Sequence, residues 1–178
     1  MTDLPPARSL HRRGEWTSAH DLVVLDYESR FLRRKRLHTV HGEHFLVDLP
    51  ETVSLDHGDA LALADGRLIE VIAAEEPVVV VTGDLPRLCW HIGNRHTPCQ
   101  IEADRLLIRR DHVLEAMLAQ LGAAVAYSDE PFTPEGGAYG MGRTMGHDHG
   151  SEQGHRHVHH HGGHHHPNDD DDIPVDVD

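Results

Sequence analysis

The chain has 178 residues, of which 38% are hydrophobic, and a formal net charge of −14. This length predicts one ordinary domain or two small ones, and the strong acidity argues against nucleic acid as a partner. No apolar run approaches the roughly twenty residues that cross a bilayer, so we expect no membrane association. Cys89 and Cys99 are the only cysteines and no segment resembles a signal peptide, which predicts a cytoplasmic protein with reduced thiols.

Residues 1–75 are predicted to form a small β domain. Short apolar or alternating runs predict strands at 21–26, 44–49, 60–64 and 68–73, and Asp65-Gly66 is a strong signal for a hairpin turn. A basic cluster lies between these strands and comprises Arg30, Arg33, Arg34, Lys35 and Arg36. It is either a solvated strand face or a docking patch for an acidic partner.

Residues 76–146 are predicted to form a second domain, which begins with a buried strand at 78–81. Asp84 is a suitable N-cap for a helix with a proline in its first turn, and Leu85, Leu88, Cys89 and Ile92 share one face of that helix. We expect Gly93 to end the helix in the left-handed conformation. His96 then lies on an exposed turn.

The rest of this domain completes a strand, helix, strand, strand, helix, strand order. Strands are predicted at 99–102, 105–109 and 123–127. The second helix has Asp111 as its N-cap, Gly122 as its stop, and an apolar stripe of Val113, Leu114, Met117, Leu118 and Leu121. This order is typical of the ferredoxin-like split βαβ fold, so we predict an α+β protein.

Residues 147–178 are predicted to form a disordered metal-binding tail. Ten of the nineteen histidines of the chain lie between His147 and His166, and six of the last ten residues are aspartate. Neutral imidazole is a good ligand for nickel, zinc and copper, and such a polar tract cannot bury enough apolar surface to fold. A purification tag is the alternative, although the irregular spacing disfavours it. The ten candidate ligands are His147, His149, His155, His157, His159, His160, His161, His164, His165 and His166.

Two segments of the second domain resemble a known family. The stretches GDLPRLCWHIGNRHTPCQIE at 83–102 and RRDHVLEAMLAQLG at 109–122 are similar to the metal-binding domain of the UreE urease accessory proteins, whose HxGNRH and DHVLxxML patterns they contain. The segment GDALALADGRLIEVIAAEE at 58–76 and the His-rich end extend the resemblance over nearly the whole chain.

This resemblance implies that His96 is the principal nickel ligand, placed where the two subunits of a homodimer meet. His112 matches a second family histidine near the start of the last helix, and we leave open whether it binds metal or is a surface residue. Some members carry another histidine where this chain has Arg110. An auxiliary metal site built from that histidine and His112 is therefore doubtful in this chain. The tail would supply further ligands.

Other candidate ligands are less favoured. The three-residue spacing of His38, His41 and His44 would line a helix, but the surrounding residues predict strand and turn, so we expect no site there. His91 is interpreted as an ordinary helix residue. Cys89 is expected to pack in the core, and the role of Cys99, close to His96, stays open.

The resemblance implies a nickel metallochaperone that delivers Ni(II) to the urease apoprotein through the urease accessory GTPase. Catalytic motifs such as HExxH, GxxxxGK[ST] and GxSxG do not occur in the sequence, so we expect no enzyme. One alternative is a His-rich store for nickel or zinc, in which the tail is the functional part. A weaker alternative makes the N-terminal domain a general peptide-binding module.

Overall fold

The structure is a computed structural model that describes residues 3–136. The predicted tail at 147–178, with its ten histidines, lies outside the described residues. The prediction that it is disordered therefore stays a prediction. Within the described range the elements are β1 (Ala7–His11), β2 (Asp21–Leu25), β3 (Phe31–His38), β4 (His44–Ser54), β5 (Ala60–Leu63), β6 (Leu68–Ala73), β7 (Glu75–Thr82), α1 (Leu85–Gly93), β8 (Gln100–Ile101), β9 (Leu106–Arg109), α2 (His112–Gln120) and β10 (Ala124–Pro131).

The first six strands form one sheet in the order β2-β6-β5-β1-β4-β3. All four strands predicted for this region are confirmed, and Gly66 has a φ of +88° in the turn between β5 and β6. Strands β1 and β3 were not predicted. Only Ala7 of the five residues of β1 is buried, and β3 carries most of the basic cluster, so the apolar alternation of both strands is weak. Side chains from one face of this sheet build the first core, which includes Val23, Phe45, Val47, Leu61, Ile69 and Val71.

The last four strands form a second sheet in the order β10-β7-β9-β8, with every neighbouring pair antiparallel. Both helices pack on one face of this sheet, because Leu88 of α1 and Leu118 of α2 share a core with Val79 and Val81 of β7. The run of valines at 78–81 is confirmed as a strand that is apolar on both faces. The mixed, sheet-rich architecture with two helices confirms the α+β class.

The opposite face of the second sheet packs against residues of the first part of the chain. Val78 and Leu107 are buried together with Tyr27 and Phe132, whose rings meet edge to face at 5.3 Å. The buried Arg30 guanidinium donates to the backbone carbonyl of Phe132. This cluster fixes the start of the segment that follows β10.

Two details of the second domain differ from the sequence prediction. Strand β10 continues to Pro131, four residues beyond its predicted end, because it pairs with β7 along its whole length. Val113 is 62% exposed and lies outside the core that its neighbour Leu114 enters. None of the helices in the described range is long and apolar enough to cross a membrane.

Candidate metal centre

His96 lies in a run of tight turns that continues α1. The Asp84 carboxylate caps the helix by accepting from the amide of Arg87, as predicted. The helix ends at Gly93, and its C-cap residue Asn94 keeps right-handed dihedrals of φ −60° and ψ −19°. The amides of Arg95 and His96 donate to the carbonyls of Ile92 and Gly93 at 3.0 and 2.9 Å.

The left-handed residue of this loop is His96 itself, with a φ of +55°. The prediction that Gly93 would adopt this conformation is wrong, because Gly93 remains the last residue of the helix and its φ is not positive. A residue with a side chain in the left-handed region costs roughly 1–3 kcal/mol. His96 is exposed, as the sequence predicted, and the turn that carries it is conformationally costly.

His112 is the first residue of α2 and is exposed. The Asp111 carboxylate caps this helix by accepting from the amides of Val113 and Leu114 at 2.9 and 3.0 Å, which confirms the predicted start. Because β7 and β9 are antiparallel neighbours, the end of β9 lies beside the start of β7. The end of α1 and the start of α2 therefore lie at the same end of the sheet, and so do His96 and His112.

The chain leaves β10 at this same end. The amide of Thr133 donates to the side-chain oxygen of Gln100 at 2.7 Å, and the amide of Glu135 donates to the carbonyl of Cys99 at 2.9 Å. Residues 133–136 thus run beside the start of β8, only a few residues from His96. We call this the tail root, since it leads toward the His-rich segment.

The two thiols are poor candidates for metal ligands. Burial, together with the adjacent Cys89 thiol, raises the pKa of Cys99 to about 12. Cys99 therefore remains a neutral thiol, whereas the thiolate is the form that binds metal. Cys89 is half-buried against the same apolar core, as predicted. The burial of Cys99 in the same core favours packing as its role.

Within residues 3–136 no group of three or more His, Cys, Asp or Glu side chains converges to hold a metal ion. Neither His96 nor His112 therefore belongs to a group of three or more such side chains within the described part of one chain. His91 is half-buried and its ring packs edge-on against Trp90 at 4.9 Å, which agrees with an ordinary helix residue.

His38, His41 and His44 lie in two strands and the turn between them and not in a helix, as the sequence predicted. His38 and His44 are direct partners across the antiparallel pair of β3 and β4, with ring centroids 6.2 Å apart. His41 lies in the intervening turn, where its Nδ1 is 2.8 Å from the Asp21 carboxylate. The spacing alone could not reveal this arrangement, since it depends on where the hairpin turns.

Arg33, Arg34, Lys35 and Arg36 of the basic cluster lie on β3, an edge strand of the first sheet, whereas Arg30 precedes this strand and is buried. Arg36 pairs with Asp3 at 2.7 Å and Arg34 lies 3.7 Å from Asp48. Arg33 and Lys35 have no ion pair among the residues that the structure describes. The cluster therefore keeps unneutralised positive charge on an exposed strand edge.

Comparison with known proteins identifies the family. Residues 2–74 match the model of the N-terminal domain of the UreE urease accessory protein, and residues 76–168 match the model of its C-terminal domain. The chain belongs to the UreE urease accessory protein family. The match to the UreE C-terminal domain includes His96, His112 and all ten tail histidines.

Curated UreE proteins are similar over most of their length. The chain is 67% identical to the urease accessory protein UreE of Cereibacter sphaeroides over 155 residues, which cover 86% of this chain and 85% of the relative. It is 64% identical to the UreE of Ruegeria pomeroyi over 148 residues, or 83% and 99% of the two chains. The UreE of Rhodobacter capsulatus is 69% identical over 137 residues, or 77% and 88%. A UreE protein is an accessory protein of urease and not the enzyme itself.

Proposed function

We propose that this protein is a cytoplasmic metallochaperone that carries Ni(II) to the urease apoprotein and delivers it through the urease accessory GTPase. Membership of the UreE family carries this proposal, together with the exposed His96 on its left-handed turn. An exposed imidazole is a labile ligand that a partner's ligands can replace one at a time. We infer delivery, and not catalysis, from this exchangeable arrangement.

The principal site is proposed to be shared by a homodimer. One exposed imidazole per chain makes a weak site, whereas a twofold axis brings two copies of His96 to one ion without any further motif. The large apolar side chain of Trp90 is 62% exposed in the last turn of α1, which supports an interface near this end. His112 lies at the same end and is a candidate auxiliary ligand.

Histidines of the tail are proposed to supply further ligands. The tail root lies beside Cys99, and His147 follows Gly136 by eleven residues. A chain of that length spans at most about 36–40 Å. This length supports a role for the first tail histidine at the His96 turn. Zinc and copper prefer the same ligands, so selectivity for nickel would come from metal supply and partner choice.

The domain plan is also a proposal. We place a partner-docking β domain at 1–75, a ferredoxin-like metal-binding and dimerisation domain at 76–146, and the His-rich tail at 147–178. The strand order β10-β7-β9-β8 with both helices on one face supports the ferredoxin-like class. The exposed positive charge of β3 supports docking of an acidic partner surface.

Calorimetric titration with Ni²⁺ tests the proposal. Four proteins are compared: the full chain, a truncation ending at Gly146, His96→Ala, and His11→Gln as a matched exposed-histidine control. We expect one tight ion per dimer in the full chain, the truncation and the control, and its loss in His96→Ala. Urease activation in cells that express the urease genes should fail with His96→Ala and decline only partly with the truncation.

The opposite pattern would support the alternative of a His-rich store. In that case tight binding would disappear with the tail and would not depend on His96, and His96→Ala would still activate urease. Protection of cells against excess nickel would then follow the tail alone.

A further inference from the structure

The β3–β4 hairpin brings two histidines together that lie six positions apart in the sequence. His38 and His44 are opposite each other in the antiparallel register, and the next pair toward the turn is Thr39 and Glu43, whose backbone N–H and C=O are hydrogen bonded at 2.8 Å. Hydrogen-bonded and non-hydrogen-bonded pairs alternate along an antiparallel ladder. His38 and His44 therefore form a non-hydrogen-bonded pair, in which side chains approach most closely.

Both imidazoles are available for binding. His38 is exposed and His44 is half-buried. Within residues 3–136 neither side chain takes part in a hydrogen bond or ion pair. The other two histidines of this region are already engaged, since His41 contacts Asp21 and His20 contacts Glu43, each at 2.8 Å.

The charges around the pair permit a cation. Arg36 lies two residues before His38 on the same face of β3, but its guanidinium is paired with the Asp3 carboxylate at 2.7 Å. The backbone of Asp3 forms an isolated bridge with His44. The nearest positive charge is thus compensated.

The separation of the two rings fits one bridging ion. With metal–nitrogen bonds of 2.0–2.1 Å, a ring centroid lies about 3.2 Å from the ion, so two rings on one ion can be separated by up to about 6.4 Å. The observed 6.2 Å is at the upper end of that span. Adjacent coordination positions, at nitrogen–metal–nitrogen angles of about 90–110°, need a centroid separation of about 4.5–5.2 Å, so the two side chains would turn toward each other by about 1 Å or more.

We propose that His38 and His44 form a second, weaker site for a borderline divalent cation such as Ni²⁺, Cu²⁺ or Zn²⁺, with water in the remaining positions. The site belongs to the first domain and is independent of His96. It would load metal onto the domain proposed to dock partners. Its ligand number predicts faster exchange and lower affinity than at a site built from more imidazoles.

Anomalous diffraction from crystals of the full chain soaked in NiCl₂ locates the ion directly. We expect a peak between the His38 and His44 rings above the nickel absorption edge, and its loss in His38→Gln and in His44→Gln. Glutamine keeps the strand position polar, and His11→Gln serves as the matched control that retains the peak. Equilibrium dialysis of the same proteins at saturating Ni²⁺ should show one ion fewer per chain in the two hairpin variants.

The proposal is overturned if no peak lies between the two rings while other sites are occupied, or if the bound ion count is unchanged in His38→Gln. Circular dichroism and thermal unfolding confirm that each variant is folded. His96→Ala separates this inference from the chaperone function, because it should remove the shared ion and leave the hairpin peak in place.

Discussion

The backbone amide of Glu135 donates a hydrogen bond of 2.9 Å to the carbonyl oxygen of Cys99. This contact ties the tail root to the start of β8, three residues after His96. The fold of the second domain thus sets the position of residues 133–136, the last that the structure describes. The neighbouring bond from Thr133 to Gln100 reinforces it at 2.7 Å.

The tail root should loosen in Gln100→Ala. The substitution removes the acceptor for the Thr133 amide, and a hydrogen bond of this kind contributes about 0.5–1.5 kcal/mol. Amide hydrogen exchange at Thr133 and Glu135 should become faster, with little change in the helices. Thr133→Ala keeps the backbone donor and is the matched control. Equal exchange in Gln100→Ala and wild type would show that other contacts hold this segment.

Replacement of His96 by glycine should separate stability from metal binding. The left-handed φ of +55° penalises any residue with a Cβ, so His96→Gly should be more stable than His96→Ala by about 1 kcal/mol. Urea unfolding of the metal-free proteins measures this difference. Both variants should lose the tight nickel ion. If the glycine variant were less stable than the alanine variant, the inference that the backbone at residue 96 is strained would be wrong.

Cys99 should react slowly with alkylating reagents. Its pKa of about 12, raised by burial and by the Cys89 thiol, leaves almost no thiolate at pH 8. Iodoacetamide should therefore label Cys89 before Cys99 in the native protein. Peptide mass spectrometry measures the labelling of each cysteine. Cys99→Ser should retain the affinity for nickel. Loss of that affinity would instead assign the thiol to the metal centre.

The ion pair of Arg105 and Glu130 should make stability depend on pH. Arg105 donates two bonds, of 3.0 and 2.8 Å, to the Glu130 carboxylate and thereby lowers the pKa of Glu130 below its ordinary value of 4.5. A lowered folded-state pKa stabilises the protein above the ordinary pKa, and this stabilisation is lost as the pH falls through the lowered value. The stability difference between wild type and Arg105→Gln should be present at pH 7 and shrink toward pH 3. A difference that does not change with pH would assign the effect to packing of the arginine stem.

The adjacent residues Val113 and Leu114 should respond differently to truncation. Leu114 is buried in the core of the second domain, so Leu114→Ala should cost about 2–5 kcal/mol. Val113 is exposed, and Val113→Ala should stay within about 0.5 kcal/mol of wild type. Denaturant unfolding at low protein concentration measures both. A large effect at Val113 would show that this side chain is buried in an assembly.

Several parts of the fold were predictable because their signals are local. Asp84 and Asp111 cap their helices as the sequence indicates, since a cap depends only on the next three residues. The valines of β7 and the turn at Asp65-Gly66 are likewise properties of short segments. Strand β1 could not be predicted because its position is set by pairing with β4 and β5 and not by the apolar pattern of its own residues.

The sequence by itself determined the family, the identity of His96 and His112 as candidate ligands, and the exposure of the turn that carries His96. Only the tertiary structure decided that His96, and not Gly93, adopts the left-handed conformation, and that His38 faces His44. It also brought the tail root and both candidate ligands to one end of the second sheet. The physical reason is that residue type and local spacing can be read directly from the sequence. Register, turn position and packing instead arise from contacts between segments that are distant in the sequence.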